Sequence, residues 1–390
     1  MEKKGSKPNK NYYRPLAVAF AAFILVFFIA GLILPDKEMS AKEKRMLSRF
    51  PEMSSDRVLS GGFADDFEEY ASDQIPFRDA FTGLKVRVDL AAGKKESEGV
   101  YLCRDGSLIE RMEEPDEEKL DNTLAAMTDF AGRINADPLL VLVPNAVSVY
   151  KEKLPALAVT ADQKAFSETV QQKLAGAGVE YLDLTGTLLA GKESVDLYYK
   201  TDHHWTTPAA KLCAPVVLNA LERSFTDDYT PLVACSDFKG SLAAKSALAG
   251  DAEDEIIVYA PEEDPVCLVT GSGGAGKRAT VYSEEGLESS DPYTVFLGGN
   301  EGLIQIETDR IGSGKLLVFK DSYFNCFLPF LLRSYEQIDV VDPRYFSGDL
   351  NTLLLNTEYD QVLFFYNMNT FSEDTSLSLV LNEITGGEEG

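Results

Sequence analysis

Nineteen consecutive residues, Leu16–Leu34 (LAVAFAAFILVFFIAGLIL), carry no charge. As a helix rising about 1.5 Å per residue, such a run reaches across a hydrocarbon core of about 30 Å. Before it stand Lys3, Lys4, Lys7, Lys10 and Arg14 against the single acid Glu2. Basic flanks stay on the cytoplasmic side, so the rest of the chain is expected outside. A cleavable signal has a shorter apolar core of about 7–15 residues and a small-residue cleavage site. Here Met39-Ser40-Ala41 is the only such site offered. The reading is a basic cytoplasmic tail (1–14) and a transmembrane signal anchor (15–35), with the C-terminal part extracytoplasmic at the cell membrane. A cleaved signal is the alternative.

The remainder is globular in composition, with 45% hydrophobic and 26% charged residues. Its 390 residues suit two or three units. Lys plus Arg number 37 and Asp plus Glu 63, a net charge of −26. A surface this acidic repels phosphate backbones, which argues against nucleic acid as a partner. The five cysteines, Cys103, Cys213, Cys235, Cys267 and Cys326, are far apart and odd in number. They show neither metal-ligand spacing nor a disulfide framework.

A polar, partly helical segment (36–115) follows the apolar run. In it Phe63, Phe67 and Tyr70 recur at helical spacing, and Asp105-Gly106 predicts a hairpin turn. From 116 the pattern alternates between helix and strand. A helix over about Asp116–Arg133 places Leu120, Leu124, Met127 and Phe130 on one face. Leu139–Val143 reads as a strand buried on both faces. Thr160 is expected to cap a helix ending at Gly176 and Gly178, followed by strand Val179–Leu184. Thr207-Pro208 opens another helix, with proline where its missing N–H costs nothing. Residues of about 225–310 read as a β-rich antiparallel insertion. Strand Leu316–Lys320, an apolar helix near Phe324–Leu332, and strands Ile338–Val341 and Val362–Tyr366 complete the pattern. Alternation of this kind implies an α/β domain (116–390) with a mostly parallel sheet flanked by helices.

The chain's two histidines are adjacent, in Asp202-His203-His204-Trp205, just before the helix opened by Pro208. A histidine is the usual general base near neutrality, and a carboxylate two residues away can fix its tautomer. A loop histidine that merely caps the helix is the other reading. A metal site is disfavoured, because no further His or nearby Cys offers a third ligand. In an extended loop Asp202 and His204 share a face and His203 points away, which makes His204 the expected base. Ser322, in Lys320-Asp321-Ser322-Tyr323, leaves the C-terminal end of a buried strand, where open α/β sheets place their ligands. An N-cap serine is the bland reading there. Nothing in the spacing joins Ser322 to His204. Gly271-Ser-Gly-Gly-Ala-Gly276-Lys277 fits the spacing of a phosphate loop, yet Arg278 stands where Ser or Thr would bind magnesium. A β-looking run (Ala279–Tyr282) follows it, so it reads as a glycine-rich turn, and no cofactor is expected.

Asp-His-His-Trp in this setting resembles the DHHW family of bacterial envelope proteins. That family is similar to the SGNH-hydrolase-like alginate O-acetyltransferases of the AlgX/AlgJ type. Their Asp-x-His-Trp motif precedes the serine, a circular permutation of the usual motif order. Asp202 and His204 match the Asp and His of that motif, and Ser322 matches the serine of the Gly-Asp-Ser block, with Lys320 in place of its glycine. Ser40–Leu47 resembles the family's Glu-Asn-Arg opening, and Asp73–Arg78 its Asp-x-Phe-Pro-x-Arg stretch. Asn369, with Asn367 at the glycine position, resembles the block whose asparagine completes the oxyanion hole. Leu297-Gly298-Gly299-Asn300 offers a second Gly-Asn loop, more simply a turn, and Arg344 stands after a strand where a glycine is missing. Trp205 completes the motif as a candidate substrate contact.

The resemblance implies an SGNH-like fold and O-acetyl transfer to a cell-envelope glycan through Ser322, His204 and Asp202. It also implies a membrane-bound O-acyltransferase partner as acyl donor. A glycan deacetylase with the same triad, or a non-catalytic glycan- or partner-binding protein, are the alternatives.

Overall fold

The structure is a computed structural model, and it describes residues 10–40, 45–248, 250, 252–263, 265–271 and 277–383. Most of the basic tail, residues 41–44 of the Ser40–Leu47 stretch, and 272–276 of the glycine-rich loop lie outside the described residues. The chain divides into two compact units, Met1–Lys94 and Lys95–Gly390. The strands at 96–110 therefore belong with the second unit.

In the first unit the apolar run forms a helix, Lys10–Ile33. Among the described residues it is the one helix long and apolar enough to cross a membrane, and it fits a single-pass anchor. A short antiparallel pair, β1 (Met39–Ser40) with β2 (Arg45–Met46), precedes three helices, Ser55–Ser60, Gly62–Asp73 and Arg78–Ala91. The stretch singled out at Asp73–Arg78 ties these pieces together. The buried Asp73 carboxylate accepts from the Ser48 N–H at 2.9 Å. Gln74 bonds Lys37 through both ends of its amide, and its Nε2 also reaches the Ser48 carbonyl.

The second unit opens with a three-stranded antiparallel meander, β3 (Glu96–Ser97), β4 (Val100–Leu102) and β5 (Leu108–Glu110). Gly106 turns between the last two with φ 86°, which a residue without Cβ adopts at little cost. The main sheet has seven strands. Five are parallel and lie side by side as β13 (Gln337–Val341), β12 (Lys315–Lys320), β14 (Gln361–Asn367), β6 (Asp137–Val143) and β7 (Glu180–Asp183). β6, β12, β13 and β14 are buried along nearly their whole length, which is why they read as apolar runs, while the edge strand β7 is only partly buried. Phe319 and Phe364 stack at 5.2 Å, and Phe130 of the Glu117–Ala131 helix meets both edge-on.

Three expectations are corrected. The helix Gln163–Leu174 is capped by Asp162, which accepts from Lys164 N–H, while the Thr160 hydroxyl accepts from Met112 N–H at 3.0 Å instead. The apolar stretch near Phe324–Leu332 is not an α-helix but two 3₁₀ turns, Ser322–Cys326 and Leu328–Phe330. Pro329 lacks an N–H and would clash with the carbonyl four residues earlier, which disfavours an α-helix through it. The insertion is only partly a separate layer. Its first half is the antiparallel pair β8 (Tyr229–Phe238) and β9 (Asp254–Pro261), but β11 (Leu303–Thr308) extends the main sheet antiparallel to β13, and β10 (Cys267–Gly271) adds antiparallel to β11.

Candidate active site

The C-terminal ends of β6, β12, β13 and β14 lie along one edge of the sheet, and each delivers polar residues there: Asn145, Ser322, Asp342 and Asn367. Asp202 and His204 reach the same edge on the loop before the Thr207–Ala220 helix, which Thr206 caps. That loop is not extended. It bends back so that Tyr198 and Trp205 form an antiparallel bridge.

Three side chains line up. His204 Nδ1 donates to Asp202 Oδ1 at 2.5 Å, and His204 Nε2 accepts from Ser322 Oγ at 2.7 Å. The His204 N–H also donates to Asp202 Oδ1, at 2.9 Å, which fixes the carboxylate beneath its own histidine. Because the loop bends, the His203 ring does not diverge but lies 3.8 Å from the His204 ring. Its Nδ1 is nevertheless 3.7 Å from Asp202 and pairs with Ser241 Oγ at 2.6 Å. His203 is thus excluded from the line by its hydrogen bond rather than by strand geometry.

Burial opposes charge on Asp202, but His204, His203 and the Ser241 N–H outweigh it and hold the carboxyl well below its usual range. Burial pushes His204 down to about 4, with His203 adding to that and Asp202 acting against it. At neutral pH the imidazole is therefore uncharged and its Nε2 can accept a proton. Tyr293 covers the ring, stacked at 3.9 Å and 12°, and its hydroxyl donates to the Ser322 carbonyl at 3.3 Å.

The loop is held by residues that no motif marked. Asp254, from β9, accepts from the N–H groups of Lys200 and Thr201, both at 2.8 Å, and from the Thr201 hydroxyl at 2.6 Å. Ser241 N–H donates to Asp202 Oδ2 at 2.7 Å, and Gly240 N–H to Thr201 Oγ1 at 3.0 Å. These come from the insertion, whose short runs carry no periodicity that points at a site. Tyr293, also from the insertion, left no signal beyond being aromatic.

The remaining candidates have other partners. Trp205 is fully buried, and its indole donates to the Tyr323 carbonyl at 2.9 Å, so it braces the turn after Ser322 from inside the core. Asn367 caps the helix Met368–Glu373 and donates through Nδ2 to Asp321 Oδ2 at 2.6 Å. Asn369 accepts from Gln163 Nε2 and donates to the Arg111 carbonyl. Asn145 links both amides, donating to Asn367 Oδ1 and accepting from the Asn369 N–H. These bonds give the sequence's asparagines a bracing part under Asp321, whose carboxyl burial pushes up to about 6 against Arg344 and the N–H groups of Asn367 and Tyr323.

Lys320, standing for the motif glycine, is fully buried and paired with the equally buried Asp342 at 2.9 Å. Arg344 holds the same carboxylate through Nε at 2.9 Å and Nη2 at 2.7 Å. Asn300 is exposed, and its Oδ1 accepts from Lys320 Nζ and Asn325 Nδ2, each at 3.3 Å.

Asp202, His203 and His204 bring ligand atoms within 4.8 Å of one another. A cation among them would have to displace the hydrogen bonds to Ser322 and Ser241, since each ring nitrogen named above already has a partner. At the glycine-rich stretch, Gly271 ends β10 and Arg278 pairs back with Val269, so the described chain leads out in extended pairing with no helix at that point.

Comparison with known proteins follows this architecture. Residues 103–256 match the family described as SGNH hydrolase-like domain, acetyltransferase AlgX. The chain is 23% identical over 212 residues to the "Probable alginate O-acetylase AlgJ" of Pseudomonas aeruginosa, covering 53% of this chain and 52% of that protein. It thus spans about half the length of the curated relatives it matches. Its fold resembles that of a DHHW family protein from Eubacterium siraeum, with a TM-score of 0.63, 21% identity, and coverage of 73% of this chain and 95% of that one. It also resembles Bacillus cereus PatB1 with a sulfonyl adduct, with a TM-score of 0.56, 18% identity, and coverage of 71% and 97%. Over residues 103–256 the second unit is similar to the SGNH hydrolase-like domain of AlgX, and its parallel sheet and the Asp-His motif preceding the serine agree with that likeness.

Proposed function

We propose that this chain is a membrane-anchored, extracytoplasmic O-acetyltransferase acting on a cell-envelope glycan. The observation that carries the reading is the line from Asp202 through His204 to Ser322, with His204 uncharged at neutral pH. Ser322 Oγ attacks the acetyl carbonyl of the donor while His204 Nε2 takes its proton. The tetrahedral intermediate collapses, the donor leaves with that proton, and the acetyl group remains on Ser322. A glycan hydroxyl then attacks the acetyl-serine, His204 takes the hydroxyl proton, and the serine recovers it as the acetylated glycan departs. Asp202 keeps the proton of Nδ1 in place and stabilises the imidazolium formed in each half-reaction.

The oxyanion donors in this scheme are the Ser322 N–H, which opens its 3₁₀ turn, and the Asn300 amide. Support for Asn300 is its hydrogen bond to Asn325, a residue of the same 3₁₀ turn as Ser322. An acetyltransferase outside the membrane is cut off from cytosolic acetyl-CoA. A membrane-bound O-acyltransferase is the partner that would pass acetyl groups to it, and the basic flank of the anchor supports that outward placement.

A non-catalytic glycan-binding protein is the second reading, favoured by the structural bonds that occupy Asn367 and Asn369. Treatment of the full-length protein with a sulfonyl fluoride and with p-nitrophenyl acetate, followed by peptide mass mapping, separates the two. The proposal expects adducts on Ser322 that vanish in His204→Ala. An unmodified Ser322 under both reagents would establish the binding reading.

A further inference from the structure

The first unit carries an apolar stripe that stays largely exposed, its ring contact with Phe27 notwithstanding. Phe77, the N-cap of the Arg78–Ala91 helix, precedes Phe81, Leu84 and Val88, which fall three and four residues apart as a single line on the helix surface. They are 70%, 42%, 57% and 58% exposed. At about 3.6 residues per turn, Val86 lies on the opposite side, and it is 5% exposed. The helix is therefore anchored to its own unit by one face and presents large apolar groups on the other. Lys85 and Arg87 fall on the two flanks of the stripe, both exposed. Long basic side chains there can lay their methylenes along an apolar surface and lift their charges to a polar boundary.

What covers the stripe is indicated by its neighbour. Phe27, inside the Tyr13–Gly31 span, makes ring contacts with Phe77 at 6.4 Å and Phe81 at 5.5 Å. Phe27 lies six residues before Ile33, the end of that helix (33 − 27 = 6), or about 9 Å along its axis. Amphipathic helices lying in a membrane interface sink their apolar faces to a similar depth, about 5–10 Å.

We propose that the Arg78–Ala91 helix lies in the bilayer interface, with Phe77, Phe81, Leu84 and Val88 in lipid and Lys85 and Arg87 at the headgroups. The inference requires the Lys10–Ile33 helix to cross the bilayer, and holds whichever side the second unit occupies. The unit would then be held by two elements, one across the membrane and one along it.

The test uses the chain's single tryptophan, Trp205, which is fully buried in the second unit and gives a constant background. Full-length protein carrying Leu84→Trp is placed in nanodiscs of phosphatidylcholine and phosphatidylglycerol, with and without bromine on the acyl chains. Phe23→Trp, within the span, reports separately that the first helix is in lipid. Leu355→Trp, at an 87% exposed position of the second unit, reports an aqueous site. The introduced indole at position 84 should emit to the blue and lose more than half its intensity to the brominated lipid, as at position 23. Quenching no greater than at position 355, with position 23 quenched, would overturn the proposal. So would blue-shifted but unquenched emission at position 84, which would mean a second protein surface covers the stripe.

Discussion

Gly240 stands so close to Asp202 that a Cβ added to the glycine would lie 2.2 Å from the Cβ of the aspartate and 2.4 Å from its Oδ2. The backbone at this glycine has an ordinary extended φ of −87°, so space and not conformation demands the missing side chain. Gly240→Ala must push Asp202 off His204 or move the insertion away from the loop. The expected outcome is a folded protein whose turnover of p-nitrophenyl acetate falls by about 10²- to 10⁴-fold, the range for loss of effective general base catalysis. Wild-type turnover in this variant would show that the Asp202–His204 contact does not limit the reaction.

The pH dependence should depart from that of an ordinary histidine. Only uncharged His204 can accept the serine proton, so activity is present above its pKa in the folded protein and lost as pH falls through it. Burial, aided by His203, sets that value near 4. The acidic limb of kcat/KM should therefore lie well below the usual imidazole range of about 6.5. His203→Ala removes one of the influences lowering His204, so the limb should move to higher pH while most activity at neutral pH remains. A limb that stays in place would show that His203 does not tune the base.

Ser322→Ala should abolish acetyl turnover with little effect on stability. Asp321, not Ser322, caps the turn, accepting from the Tyr323 N–H at 2.8 Å. The hydroxyl's bond to His204 is then the main interaction lost, a change of about 1 kcal/mol. Denaturant midpoints and acetyl release, measured together, check both halves. Retained turnover would remove Ser322 from the chemistry.

Lys320 and Asp342 offer an asymmetric pair of substitutions. Lys320→Met leaves Asp342 still held by Arg344, whereas Asp342→Ala leaves Lys320 fully buried without its carboxylate. Orphaning a buried charge costs about 3–5 kcal/mol, so Asp342→Ala should approach that figure and Lys320→Met should fall below it. Chemical denaturation gives the order directly, and the reverse order would show that Arg344 does not support Asp342 alone.

The parts of this architecture that sequence made legible share one physical cause. A parallel strand buried on both faces must be apolar throughout, so Leu139–Val143, Leu316–Lys320 and Val362–Tyr366 were visible as runs. The Asp-His-His-Trp motif was legible because adjacent rare residues stand out in any composition. Asp254, Ser241 and Gly240 were not, because they act through a few hydrogen bonds to a loop about 40–50 residues earlier, and such contacts leave no periodicity. Asn367 and Asn369 illustrate the opposite error. Their position after a strand pointed to the site, but only coordinates show that Asn145, Gln163 and Asp321 already occupy their amides. Pro329 was a readable signal against an α-helix after Ser322, outweighed by the apolar run around it.

The strand order also fixes when a growing chain can become active. β14, the last strand in sequence among the described residues, is not at an edge but in the middle of the sheet, paired on one side with β12 and on the other with β6. Until residues 361–367 emerge, β6 and β7 have no hydrogen-bonded path to the strands that carry Ser322. His204 follows the first group in sequence and Ser322 follows β12, so the wedge between them is synthesised after both. Base and nucleophile therefore follow two groups of strands that β14 alone joins into one sheet.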